Sequence, residues 1–195
     1  MSTRSNLSAA LFLSLLVSGT ASAQTAADRP GVVLFANAGG SSALTDLNAA
    51  GASLNTGWTG GGGIGWQLNR YIALRGTFDF ARAKAQDDAT GFSGQRFNQY
   101  FYGGDVQLRY PTANRIAPYA LLGAGAATVD NMDAPGFHSV TKFAGKGGLG
   151  VDLIPSAGNL GLFAQGVSYL YKPDRNGVDK TQANLLWTAG VSYRL

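Results

Sequence analysis

The chain has no cysteine and no glutamate, and only one histidine, His138. Without cysteine it has no disulfide, no thiolate nucleophile and no thiolate metal site. One histidine is too few for a histidine-based metal centre, and the acid pairs Asp87/Asp88 and Asp130/Asp133 read as solvated loop residues. Charge is scarce as well. Charged residues make up 13% of the chain, about half of the share usual in soluble proteins. The net charge of +4 is mild and the basic residues do not cluster, so no nucleic-acid patch is expected. No cofactor is expected. Beyond residue 23 no apolar run approaches the ~18 residues that a membrane helix needs.

The one apolar run lies at the start. Arg4 precedes Leu7–Val17, and Ser18–Ala23 ends in the A-x-A pattern of small residues. This is the layout of a secretory signal peptide, with cleavage expected between Ala23 and Gln24. Residues 1–23 are therefore expected to be removed, and residues 24–195 to form one exported domain.

What the chain has in excess is glycine, 28 of 195 residues, set in a pattern of period two. Trp58, Gly60, Gly62, Ile64, Trp66 and Leu68 alternate with Thr59, Gly61, Gly63, Gly65, Gln67 and Asn69. Ile72, Leu74, Gly76, Phe78 and Phe80 alternate with Arg75, Thr77 and Asp79. Near the end, Leu185, Trp187, Ala189, Val191, Tyr193 and Leu195 alternate with Asn184, Leu186, Thr188, Gly190, Ser192 and Arg194. Each segment has one apolar face and one small or polar face, as a half-buried strand does.

Eight such segments are expected, at 31–41, 57–68, 71–83, 96–110, 116–129, 139–153, 160–171 and 183–195. Wider connections (42–56, 84–95, 130–138 and 172–182) alternate with tight turns such as Asn69-Arg70. Short turns at one end and longer loops at the other are the asymmetry of a transmembrane β-barrel. A loose hairpin repeat, starting at Gly62, Gly103 and Gly147, fits an up-and-down topology. The expected fold is all-β: an eight-stranded antiparallel up-and-down transmembrane β-barrel behind a cleaved signal peptide.

The Gly-x-Gly strands, Pro118-Tyr119 leading into Leu122-Gly123-Ala124-Gly125, and the aromatic alternation at the C-terminal end carry a family resemblance. Over residues 24–195 the chain resembles the small outer-membrane β-barrels that include the transmembrane domain of OmpA and the opacity-type porin-like proteins. The resemblance implies a bacterial outer-membrane location with both termini in the periplasm.

Alternation alone does not say which face meets lipid. Trp58, Trp66, Phe80, Tyr100, Tyr102, Tyr110, Trp187 and Tyr193 lie on the apolar face, most of them near segment ends, as interfacial girdles do. The opposite face carries Arg75, Asp79, Asp105, Arg109, Lys146 and Asp152. An eight-stranded barrel has an interior just filled by side chains, so these charges are expected to pair across strands as a luminal network. Arg75 and Asp79, like Asp105 and Arg109, share a face four residues apart. The apolar face, lacking charge, is assigned to lipid.

Gly60-x-Gly62-x-x-Gly65 matches the letters of a dinucleotide fingerprint, but that motif needs a helix after the glycines. Here the alternation simply continues, and a second match at Gly145–Gly150 falls mid-strand too. The glycines are assigned to the barrel, with Gly61, Gly63 and Gly65 facing inward to make room for large neighbours such as Arg75 or Arg109. His138 beside Ser139 raises the alternative of a lipid A-modifying enzyme. Adjacent strand residues point to opposite faces, so the two form no dyad. Eight strands leave little lumen for a pore. The expected role is non-catalytic: a monomer held by outer-membrane lipid (lipopolysaccharide and phospholipid), meeting an extracellular ligand through its four loops, with no nucleic-acid partner.

Overall fold

The structure, a computed structural model, describes residues 30–45, 54–85, 94–110, 112, 115–131, 139–153, 159–172 and 181–195. The signal segment 1–23, the Ala23/Gln24 junction and His138 lie outside the described residues, as do parts of all four wide connections.

Eight strands form: β1 (Gly31–Ala43), β2 (Gly57–Gln67), β3 (Ile72–Lys84), β4 (Arg96–Arg109), β5 (Ile116–Asn131), β6 (Val140–Leu153), β7 (Leu160–Tyr171) and β8 (Gln182–Arg194). No boundary departs from the expected segments by more than two residues. Every strand pairs antiparallel with its neighbours in sequence, and β1 pairs with β8 to close the barrel. The turn after β2 is held by its own asparagine. Asn69 Oδ1 accepts from the amides of Tyr71 (2.8 Å) and Ile72 (3.0 Å), the local bonding that makes asparagine a turn residue.

The register sets the shape. Followed across the sheet, Val33 meets Gly65, then Arg75, Asp105, Gly123, Lys146, Tyr169 and Asn184, and Asn184 meets Ala43. One circuit climbs β1 from 33 to 43, a shear of ten residues. With a strand rise of ~3.3 Å and a spacing of ~4.8 Å, that shear tilts the strands by about 40°. Odd residues of β1–β5 and β7 and even residues of β6 and β8 point inward. The outer wall is apolar: 25 large apolar or aromatic side chains are exposed among the described residues, including Leu122 (70%), Phe143 (75%) and Leu149 (67%). A water-soluble surface rarely carries so continuous an apolar patch.

Candidate functional site

The lumen holds three tiers along the barrel axis. Next to the wide connections it is apolar. Leu54, Ala83, Ala85 and Phe97 pack together there, and Leu54 bridges to Ala85. Just below, Ala81, Phe101, Ala127, Ala144, Tyr171 and Leu186 fill the bore. Phe101 stacks on Tyr169 with ring centroids 4.3 Å apart and meets Tyr171 edge-on at 6.0 Å. Phe97 and Phe101 are wholly buried, so this tier seals the lumen. Sequence reasoning assigned the inner face to polar groups and missed the plug. Its signal was in the chain: Phe97 and Phe101 share the parity of Asp105 on one strand.

The middle tier is an ionic network. Asp105, with a fully buried side chain, accepts from Arg75 Nε at 2.8 Å and from Arg75 Nη2 at 3.4 Å. The same carboxylate accepts from Lys146 Nζ, which also donates to Thr77 Oγ1 at 2.9 Å. Arg75 and Asp105 are register partners on β3 and β4, while Lys146 reaches across from β6. A two-pronged guanidinium–carboxylate contact is the strongest type of ion pair, and the ammonium completes it. Arg75 lies over the Phe35 ring, 5.0 Å from its centroid. Lys146 lies 5.5 Å from the Tyr169 ring centroid.

Neutral donors hold the Asp79 carboxylate. Tyr169 OH donates to Asp79 Oδ2 at 2.8 Å, and Asn37 Nδ2 to Asp79 Oδ1 at 3.3 Å. Arg109 pairs with Asp152 at 2.7 Å, and Gln107 Nε2 donates to the same carboxylate at 3.2 Å. The pairs thus run between strands, Arg75 to Asp105 and Arg109 to Asp152. Neither Arg75–Asp79 nor Asp105–Arg109 is joined. Because the barrel is sheared, a strand's nearest partner is set by the register rather than by spacing along the chain.

The third tier, beside the chain termini and short turns, is a cavity of about 90 Å³ lined by Arg75, Arg109, Arg194, Asp152, Phe35 and Phe163 among others. Phe35 and Phe163 meet edge-on at 6.1 Å across it. The neighbours of the inward glycines match the expectation only at Gly65, which also lines this cavity. The space at Gly61 is taken by Asp79 and that at Gly63 by Phe35, while Gly65 borders Arg75. Arg109 is at none of them.

On the outer wall, Trp58, Phe80 and Tyr100 form a ladder across β2, β3 and β4, with centroids 5.1 and 5.2 Å apart. Trp58 and Trp187 are both register partners of Gly40, and the Trp187 ring occupies the space a Gly40 side chain would need. Tyr102 lies on the same wall, and Trp66, Tyr110 and Tyr193 are exposed at the end with the termini. Among the described residues no group of three or more acids and histidines could hold a metal ion.

The model of the outer membrane protein beta-barrel domain matches residues 9–194. No curated protein matches the chain in sequence. Among solved structures the chain is similar to the Neisserial surface protein A, at 18% identity and a TM-score of 0.63, over 85% of this chain and 97% of that one. It is also similar to Ail, the attachment invasion locus protein of Yersinia pestis, at 16% identity and a TM-score of 0.51, over 86% of this chain and 100% of that one. At these identities the likeness shows the fold alone. The family match over 9–194, on a closed eight-stranded barrel with an apolar outer wall, shows that this chain belongs to the outer membrane protein beta-barrel domain family and is a β-barrel of the bacterial outer membrane.

Proposed function

We propose that the protein is a non-catalytic, monomeric surface barrel that displays its wide connections outside the cell and keeps both termini in the periplasm. The observation that carries this reading is the sealed lumen: Phe97, Phe101, Tyr171 and Leu186 leave no continuous bore among the described residues. A filled barrel makes a rigid scaffold, and on such a scaffold the loops are where recognition happens. The wide connections near 42–56, 84–95, 130–138 and 172–182 then meet the extracellular ligand. Residues 1–23 serve as the export signal, cut before Gln24. Trp58, Phe80, Tyr100, Tyr102 and Trp187 anchor the wall toward one bilayer interface, and Trp66, Tyr110 and Tyr193 toward the other.

Protease added to intact cells is expected to cut within the wide connections and to spare the short turns. The outer-membrane fraction is expected to carry a band that changes gel mobility on heating. Cleavage at the short turns in intact cells would reverse the orientation. Lipid A whose acylation depends on the protein, and ceases to do so in His138→Ala, would replace the non-catalytic reading with an enzymatic one.

The lipid-facing wall has its own test. Leu122 projects outward from the middle of β5. Leu122→Arg is expected to lower stability in lipid vesicles by about 2–4 kcal/mol, the cost of a guanidinium at mid-bilayer depth. Urea unfolding of the vesicle-embedded barrel measures it, and an unchanged midpoint would remove Leu122 from the bilayer.

A further inference from the structure

The cavity beside the termini is built unlike the rest of the lumen. It faces three guanidinium groups, Arg75, Arg109 and Arg194, and one carboxylate, Asp152. That carboxylate is already engaged by Arg109 Nη2 and Gln107. The nearby Asp105 is engaged by Arg75 and Lys146. Two donor positions on the lining are left underused. Arg109 Nε is buried and has no hydrogen-bond partner. Arg75 Nη1 reaches Gln165 Oε1 at 3.5 Å, the outer limit of a hydrogen bond. A buried guanidinium N–H without an acceptor is costly and rare in a native interior. The lining also includes the apolar side chains of Val33, Phe35, Ala73 and Phe163.

We propose that this cavity is a binding site for a small monocarboxylate, such as acetate or propionate. A carboxylate supplies the planar acceptor pair that guanidinium donors match. Its short alkyl end meets the ring edges of Phe35 and Phe163. A cavity of about 90 Å³ exceeds the ~10–15 Å³ that a single water needs, and it suits a ligand of a few heavy atoms. A monoanion fits better than phosphate because the lining is half apolar and its cationic excess is small. The apolar plug closes the far end of the bore, so the site is a vestibule open to one side and not a passage.

The test uses the refolded barrel in micelles of an uncharged detergent, titrated with carbon-13-labelled propionate. Saturable binding is expected with a Kd on the order of 1 mM, a realistic affinity for so few atoms. Methyl contacts to phenylalanine ring protons are also expected. Arg109→Gln should weaken binding about tenfold to a hundredfold, the loss of one charge-assisted contact. Ala73→Leu should abolish it by filling the cavity while leaving every ion pair in place. Heat-modifiable migration confirms that each variant is folded. If Arg109→Gln does not fold, Ala73→Leu decides. No saturable binding by the unaltered protein, unchanged affinity in Ala73→Leu, or tighter binding of inorganic phosphate than of propionate would each overturn the assignment.

Discussion

Asp105→Ala is expected to lower the stability of the barrel by about 3–5 kcal/mol, the cost of removing one partner from a buried ionic cluster. Arg75 and Lys146 share the Asp105 carboxylate, whose side chain is completely shielded from solvent. Without it two cations face each other inside the lumen. The groups left in direct contact with them are neutral, namely Thr77, Gln165 and the rings of Phe35 and Tyr169, and the carboxylates of Asp79 and Asp152 act on them only from farther away. Urea unfolding in lipid vesicles reads the loss. Asp105→Asn keeps the shape and an acceptor oxygen, and should cost less than Asp105→Ala. Combining Lys146→Met with Asp105→Asn removes the surplus cation and should recover part of the loss, the signature of coupled sites. Equal stability of Asp105→Ala and the unaltered barrel would mean that the network is not buried as described.

Gly63→Leu is expected to abolish assembly of most of the protein. A Cβ at Gly63 would stand 2.7 Å from Phe35 Cζ and would run into the Gly76 carbonyl oxygen on β3. The ring has little freedom to yield, because it packs edge-on against Phe163 and beneath the Arg75 guanidinium. The carbonyl belongs to the β2–β3 ladder and moves only if the strand moves. Overpacking typically costs about 1–3 kcal/mol, and more where backbone must shift. Gly65 provides the control. It faces the same lumen two residues on, yet its Cβ would find Arg75 Cγ and the Leu74 carbonyl at 3.6 Å, ordinary contact distances. Gly65→Ala should assemble normally, Gly63→Ala should assemble poorly, and Gly63→Leu barely at all. The fraction of heat-modifiable protein after refolding orders the three. Normal assembly of Gly63→Leu would refute this packing.

The strands were legible because two signals agreed. Apolar and polar residues alternate, and asparagine, proline and glycine mark the breaks, so β2 and β3 can be drawn around Asn69 from the sequence alone. Inward and outward faces were legible for the same reason. The partners inside the lumen were not. Arg75 has Asp79 four residues away on its own strand, but bonds Asp105, thirty residues on. Asp79 is left to Tyr169, on β7. Those choices depend on the shear, which is a property of all eight ladders at once and leaves no mark at any single residue. The aromatic plug escaped for another reason. A phenylalanine on the polar face of a strand reads locally as an exception, and only the barrel's curvature stacks Phe97 above Phe101, Tyr171 and Leu186 inside the bore.

The closure of β1 on β8 has a consequence for how the molecule comes into being. Seven of the eight ladders join segments adjacent in sequence, each formed by folding a hairpin back on itself. The eighth brings Val33 to Arg194, nearly the whole length of the chain, and its loop-closure entropy is the largest in the fold. Non-local pairing of this kind is slow. Until that seam forms, two strand edges stand open with their amides and carbonyls unpaired, the state most prone to join another chain. The seam is also where Gly39 and Gly40 of β1 lie against Thr188 and Trp187 of β8, with no room for a side chain at either glycine. The last joint of the barrel therefore tolerates no added side chain at either glycine, and the time the chain spends as an open sheet depends on how readily that seam forms.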